Sequence, residues 1–511
     1  MANHLPPREE ISHYECVHAS YTRSNRGPTS DAVIVKELIH CKDGRVIPNL
    51  RILENYERSF GVTLDAYQTH KDKKPWEELR KVRRFKCKQH ELYDKASRAL
   101  GRGSRGGSLR QLARSPYLYG VDIETPVLVK RGYRDRFPSD PTPASVAVYD
   151  IEWSMVSPEE EIVLSSLTFK KKAILTILRS FTKGDPNFVD NVRKKIDLYL
   201  GEVIKARGLD VEIRIADHPA QCVIYPFERA HEWKPDYITT WNITADIPKS
   251  VSTLQEAGYN PSDIFCDPSI PPKYRNFEYI PGKTHKSKGG FDDTDDDDDT
   301  FDSMGDSSEA EADKGDGKVP INVHDQWHYC ENQASFILSD SMLLYKRIRT
   351  ASPNDASYSL DYILKKHGLG GKLKFTEADG YEKGEWHAFM QVNYPEEYCV
   401  YNLWDSISVE MLDEKTGDIA QSLQALLKCS EYKNYNSQPK MIADDLHFFG
   451  LKRGNIIGST SDDMVTELDR LSPGLRNWIV TLPAYMMAEE GGTFAFDMPN
   501  HRTKAYTHVA D

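Results

Sequence analysis

No stretch of this 511-residue chain is apolar for long enough to span a bilayer, and its opening residues, MANHLPPREE, lack the apolar core of a signal peptide. Paired cysteines are missing as well. The eight cysteines, at 16, 41, 87, 222, 266, 330, 399 and 429, are scattered, with no C-x-x-C pair. That argues against a zinc ribbon or a disulfide framework and for a reducing compartment. The expected location is cytoplasmic, with no membrane partner. What remains is a globular composition, 39% hydrophobic and 10% aromatic, with length for two or three domains and a real core.

An overall basic excess is also absent, since the formal net charge is −12. That figure hides two opposed blocks. Residues 292–316 hold 13 acids and one lysine, which leaves the rest of the chain near neutral. Residues 73–114 carry 14 Lys/Arg against four acids. A block of that kind can grip a phosphate backbone through counterion release, or it can be a solvated helix face with a basic loop.

The stretch VAVYDIEW, residues 146–153, organises the chain. An apolar run ends on Asp150 and Glu152, and in a strand positions i and i+2 point to the same side. Two carboxylates leaning into one pocket need a neutraliser, and carboxylate oxygens suit Mg²⁺ or Mn²⁺. On the motif alone, an edge strand with two solvated acids stays open. Asp122 and Glu124 in VDIET share the same spacing. The later pair is preferred because SVAVY is a longer strand, followed by the strand-like EEEIVLSSLTF and KKAILTIL. The earlier pair runs at once into Pro126, which cannot donate to a ladder.

Upstream, residues 1–140 read as a mixed α+β region with a hairpin at AVIVKELIHCKDGR and a charge-rich, helical-looking segment over 76–100. The loop GRGSRGGS and the Pro-rich joint FPSDPTPAS follow, the latter taken as a domain boundary. Downstream, residues 187–206 predict a helix and VEIRIA a strand. ITTW then ends in a polar turn expected to hold Asn242 and Asp246, a place where α/β folds collect ligands, although both residue types also cap helices. Residues 283–318 are of low complexity and are expected to be disordered. Their acids lack the alternating pattern of a calcium loop. In EEYCVYNLWDSISVEMLDEK, helical spacing puts Tyr401 and Asp405 four apart on one face.

Four acids and a phenol from three separate segments are what two-metal phosphodiester hydrolysis requires. With these flanks the chain resembles the family B DNA polymerases, within them the T-even phage replicative type. YDIEW is similar to the first exonuclease motif, TWNITAD to the second and YNLWD to the third, and SYSLDYILKKHGLGGKLKF resembles the stretch before the third. Trp153 and Ala245 depart from the usual residues. The resemblance covers about residues 110–511.

It implies an α/β chain: an α+β N-terminal domain (1–140), an RNase H-like 3′–5′ exonuclease domain (141–415) carrying the acidic insert 283–318, a helical return (416–485) and the start of a polymerase palm (486–511). It also implies Asp150, Glu152, Asp246 and Asp405 as ligands of two Mg²⁺ or Mn²⁺ ions, Tyr401 orienting the attacking water, Asn242 contacting substrate, and Asp511 as a metal ligand of the polymerase centre. The partners implied are DNA, as a single-stranded 3′ end or primer–template, and a separate polymerase chain in a phage-infected bacterial cytoplasm. KAYTHVAD resembles the lead-in to the first polymerase motif and stops on its first residue. The chain is therefore expected not to polymerise alone, through a split gene, an intein-interrupted gene or truncation, and its final strand is expected to be an unpaired edge without a partner. The competing reading is a non-catalytic module that clamps DNA or docks the polymerase chain. A free-standing nuclease acting on RNA would use the same acids but would not carry this ending.

Overall fold

A computed structural model describes residues 5–27, 30–103, 108–282, 326–350, 352–381, 383–458, 493–497 and 504–508. The chain divides into two compact units. One comprises Met1–Val46, Arg51–Ser139 and Leu427–Asp511, the other Ile47–Leu50 and Asp140–Leu426. The division falls inside the Pro-rich joint.

In the first unit, Ile11–Arg23 and Asp31–Cys41 form a long antiparallel pair. Glu57–Thr63 pairs with Val82–Lys88 and with Leu118–Tyr119. The helical expectation over 76–100 is corrected here: Trp76–Glu78 and Val82–Lys88 are strands, and the helix is confined to Leu92–Ala99. The reason lies in the partner strand. Phe85 stacks on Phe60 at 5.3 Å, and Val82 and Cys87 are buried, while Arg84 and Lys86 stay in solvent. Tertiary pairing overrides a charge pattern that suits a helix equally well.

The second unit is built on one six-stranded mixed sheet. Its strands are β1 (Val146–Trp153), β2 (Ile162–Phe169), β3 (Lys172–Leu178), β4 (Asp210–Ala216), β5 (Tyr237–Thr240) and β6 (Ile337–Asp340). The order across the sheet is β4-β3-β2-β1-β5-β6. Strand β2 is antiparallel to β1 and β3, and the pairs β3–β4, β1–β5 and β5–β6 are parallel. The central strands are flanked on both sides, so β2 and most of β3 are buried on both faces and read as continuous apolar or hydroxyl runs.

Helices cover the two faces: α1 (Phe188–Arg207), α2 (Pro219–Trp233), α3 (Ile243–Glu256), α4 (Ser341–Ile348), α5 (Leu360–Lys366), α6 (Lys383–Asn393) and α7 (Pro395–Thr416). On one face the Tyr149 ring meets Phe227 of α2 edge-on at 5.2 Å, and its hydroxyl bonds Ser250 of α3 at 3.1 Å. On the other face, α7 lies over β1 and β2. Each fully buried Leu, Ile or Val side chain contributes about 1.5–3 kcal/mol, which offsets the several kcal/mol that burying each unpaired charge costs.

Two other expectations change. Asp246 is not in a turn, because Asn242 caps α3 and the helix starts at Ile243, with Pro248 inside it. The last strand is not left single, because Lys504–His508 pairs antiparallel with Thr493–Asp497, although in a two-stranded sheet it remains an edge strand. The insert 283–318 and Asp511 lie outside the described residues.

Candidate metal centre

Alternation along β1 sorts its side chains. Tyr149 and Ile151 are buried in the core, and Asp150 and Glu152 emerge half-buried between them. From the other side α7 brings Asp405, which is buried. One carboxylate oxygen from each of Asp150, Glu152 and Asp405 lies within 4.8 Å of the other two. Asp246, buried in the first turn of α3, stands outside this trio, but its charge acts on Asp150.

Close packing of acids leaves a clear electrostatic signature. Burial, followed by the charges of Asp246, Glu152 and Asp405, holds the Asp150 carboxyl well above its ordinary range. Burial likewise pushes Glu152 up to about 7, against the hydrogen bond it accepts from Tyr398. Asp246 is held well above its range by burial, with Glu152 and Asp340 adding repulsion and Thr240 opposing. Asp405 is raised by burial while Lys372 opposes.

Lys372 is the basic group inside the cluster. Its Nζ donates to the Tyr401 hydroxyl at 2.6 Å and to Asp405 Oδ2 at 2.8 Å. Burial disfavours its charge, but Asp405 and Tyr401 outweigh that and hold the amine firmly protonated. The loop before it is fixed by Gly371, whose φ is +123° and where a Cβ would sit 2.6 Å from Asp361 Oδ1. The Gly371 carbonyl accepts from Trp404 Nε1 at 2.9 Å, and the Lys372 amide donates to Asp361 Oδ1 at 3.0 Å. Only glycine fits there.

Other side chains complete the wall. Tyr398 donates to Glu152 Oε2 at 2.5 Å, and Asn402 Nδ2 donates to Asp150 Oδ2 at 2.6 Å. His387 Nδ1 lies 2.8 Å from the Tyr398 hydroxyl. Since that hydroxyl donates its one proton to the bond with Glu152, the imidazole donates its own Nδ1–H. Burial drops His387 to about 4, so the ring is neutral. Asn242, expected to face substrate, has its side-chain oxygen engaged by the Thr244 amide at 3.3 Å and the Thr244 hydroxyl at 2.7 Å.

The donor set fits a hard divalent cation, being all carboxylate oxygen and acid-rich. Asp405 Oδ1 is buried with no hydrogen-bond partner, as a ligand atom awaiting an ion would be. No family model matches this chain, and no curated protein matches it at a significant level. The site therefore has to be read from its own geometry.

That geometry unites Asp150, Glu152, Asp405 and Tyr401 as the sequence pattern anticipates. The contributions of Lys372, Tyr398, Asn402 and His387 are additions. A signal for two of them is present in α7: Tyr398, Asn402, Ser406 and Glu410 recur every fourth residue as a polar line along a helix buried over most of its length. Among the described residues no helix is long and apolar enough to cross a membrane.

Proposed function

We propose that the second unit is a metal-dependent 3′–5′ DNA exonuclease of RNase H-like fold, and that the chain is the exonuclease-bearing portion of a T-even-like family B DNA polymerase. The observation that carries this reading is the convergence of Asp150, Glu152 and Asp405 within 4.8 Å, beside Tyr401. A mixed sheet with its second strand antiparallel and its acids on a central strand supports the fold reading.

Asp150, Glu152 and Asp405 would hold one Mg²⁺ or Mn²⁺, and Asp246, whose charge acts on Asp150 from α3, would share a second. When bound, such ions lower the pKa of the attacking water and stabilise charge on the leaving 3′ oxygen. The protein's own groups do the rest. Tyr401 offers a hydroxyl that can orient water, and Lys372 holds that hydroxyl while keeping a positive charge where the phosphate would gather negative charge. The substrate is a single-stranded or frayed 3′ end, and nucleotidyl transfer would require a separate polymerase chain.

The test is incubation of the chain with 5′-labelled single-stranded DNA and Mg²⁺ or Mn²⁺. A ladder shortening from the 3′ end, abolished by chelation and by Asp150→Ala with Glu152→Ala, is expected. DNA binding with no shortening would favour the non-catalytic clamp instead.

A further inference from the structure

Two lengths match between α7 and β1. Four residues of helix advance about 6 Å and two residues of strand about 6.7 Å. Tyr398 and Asn402 are four apart on α7, Glu152 and Asp150 two apart on β1, and each helix residue donates to one carboxylate, at 2.5 and 2.6 Å. The ladder continues one step further. Ser166, the cross-strand partner of Asp150, bonds Ser406 Oγ at 2.7 Å and donates to the Asn402 carbonyl at 3.1 Å. Residues 398, 402 and 406 thus engage Glu152, Asp150 and Ser166 in turn. Small hydroxyl side chains at 166 and 406, both fully buried, let helix and sheet approach closely enough for this. A slip of one helical residue would break all of these bonds together.

The consequence concerns the carboxylates. A free Asp or Glu rotates about its terminal torsion and can chelate a cation through either or both oxygens. With Glu152 Oε2 and Asp150 Oδ2 each held by a neutral donor, the terminal torsion of each carboxylate is fixed while each keeps an oxygen within 4.8 Å of those of the other two acids. His387, donating to Tyr398, holds the phenol oxygen in place from the solvent side.

We propose that Tyr398 and Asn402 are positioning residues that orient Glu152 and Asp150 so that each presents one oxygen to the bound cation. The inference rests on the metal-dependent reading of the site. Neither residue touches substrate. Their removal weakens cation binding in the manner of other groups behind metal ligands, roughly 10- to 100-fold.

The experiment measures Mn²⁺ affinity of the full chain by calorimetry and the Mn²⁺ concentration for half-maximal DNA shortening, for wild type, Tyr398→Phe, Asn402→Ala and Tyr149→Phe. Tyr149 is the matched control, since its equally buried hydroxyl bonds Ser250 across the other face of β1. Tyr398→Phe and Asn402→Ala are expected to weaken Mn²⁺ binding by roughly 10- to 100-fold. Activity should recover at saturating Mn²⁺, with an unchanged KM for DNA. Tyr149→Phe should lower the melting temperature to a similar degree while leaving Mn²⁺ affinity unchanged. If Asn402→Ala does not fold, Tyr398→Phe decides alone. A wild type that binds no Mn²⁺ overturns the metal reading and this inference with it. Wild-type binding with Tyr398→Phe unchanged, or an equal loss in Tyr149→Phe, overturns this inference alone.

Discussion

Asp122/Glu124 and Asp150/Glu152 share a spacing and a degree of exposure, yet the balance of charge around them differs. In the first unit Glu124 starts the helix Thr125–Arg136, its backbone extended ahead of Pro126. Lys433 reaches it at 3.3 Å. Burial works against its charge, but Lys433 and Lys440 win and hold its carboxyl below the usual range. In the second unit the same spacing lies on a continuous strand, with Asp246 acting on it from α3, Asp405 from α7, and Lys372 only partly opposing them. Its carboxyls are raised instead. Two lysines keep Glu124 charged although Glu431 lies beside it, whereas one lysine among four acids leaves the second pair in need of a further cation. The spacing is identical, and what faces it differs.

The largest expected effect breaks the contrast from the acid-rich side. Asp405→Ala removes one member of the trio and is expected to cost roughly a thousandfold in 3′ degradation, corresponding to several kcal/mol of lost charge stabilisation. Single-turnover shortening of labelled DNA measures it. Tyr401→Phe keeps every carboxylate and removes one hydroxyl, so a loss of roughly tenfold is expected in the same assay, about 1.4 kcal/mol.

A pH series sharpens the comparison without mutation. Glu152 has a folded pKa of about 7, above its ordinary 4.5, so the folded state binds its proton more tightly than the unfolded state does. Stability from this group is therefore fully present below about 4.5 and is lost as pH rises towards about 7. In chelator the melting temperature should fall across that window, and added Mg²⁺ should recover more of it at pH 7.5 than at pH 5. Equal recovery at both values would contradict the raised carboxyls.

The smallest effect belongs to Glu124, which lysines keep charged. Glu124→Gln should change stability by about 1 kcal/mol or less, because the Lys433 contact is partly exposed, and should leave DNA shortening unaltered. Chemical denaturation reads the first and the labelled-DNA assay the second.

Much of the second unit was legible because its signals are local. Apolar runs bounded by turn residues mark β1 to β3, and helical spacing marks α7 with Tyr401 and Asp405 on one side. Misreadings occurred where a distant partner decides the outcome. Val82–Lys88 is a strand because Glu57–Thr63 offers it a ladder; Asp246 is the local exception, drawn into a helix by the Asn242 cap four residues before it. Lys372 carries no local signal of its role, since nothing near it in sequence announces Tyr401 or Asp405. Tyr398 and Asn402 reach Glu152 and Asp150 from 246 and 252 residues away, a register that no local pattern encodes.

The most direct measurement places the two acid pairs side by side. Asp150→Asn with Glu152→Gln, and Asp122→Asn with Glu124→Gln, would be assayed for Mn²⁺-dependent shortening of 5′-labelled single-stranded DNA, with melting temperatures recorded for both. The first double variant should remain folded and lose essentially all activity, and the second should keep wild-type rates. Loss of activity in the 122/124 variant with retention in the 150/152 variant would contradict the account at its centre.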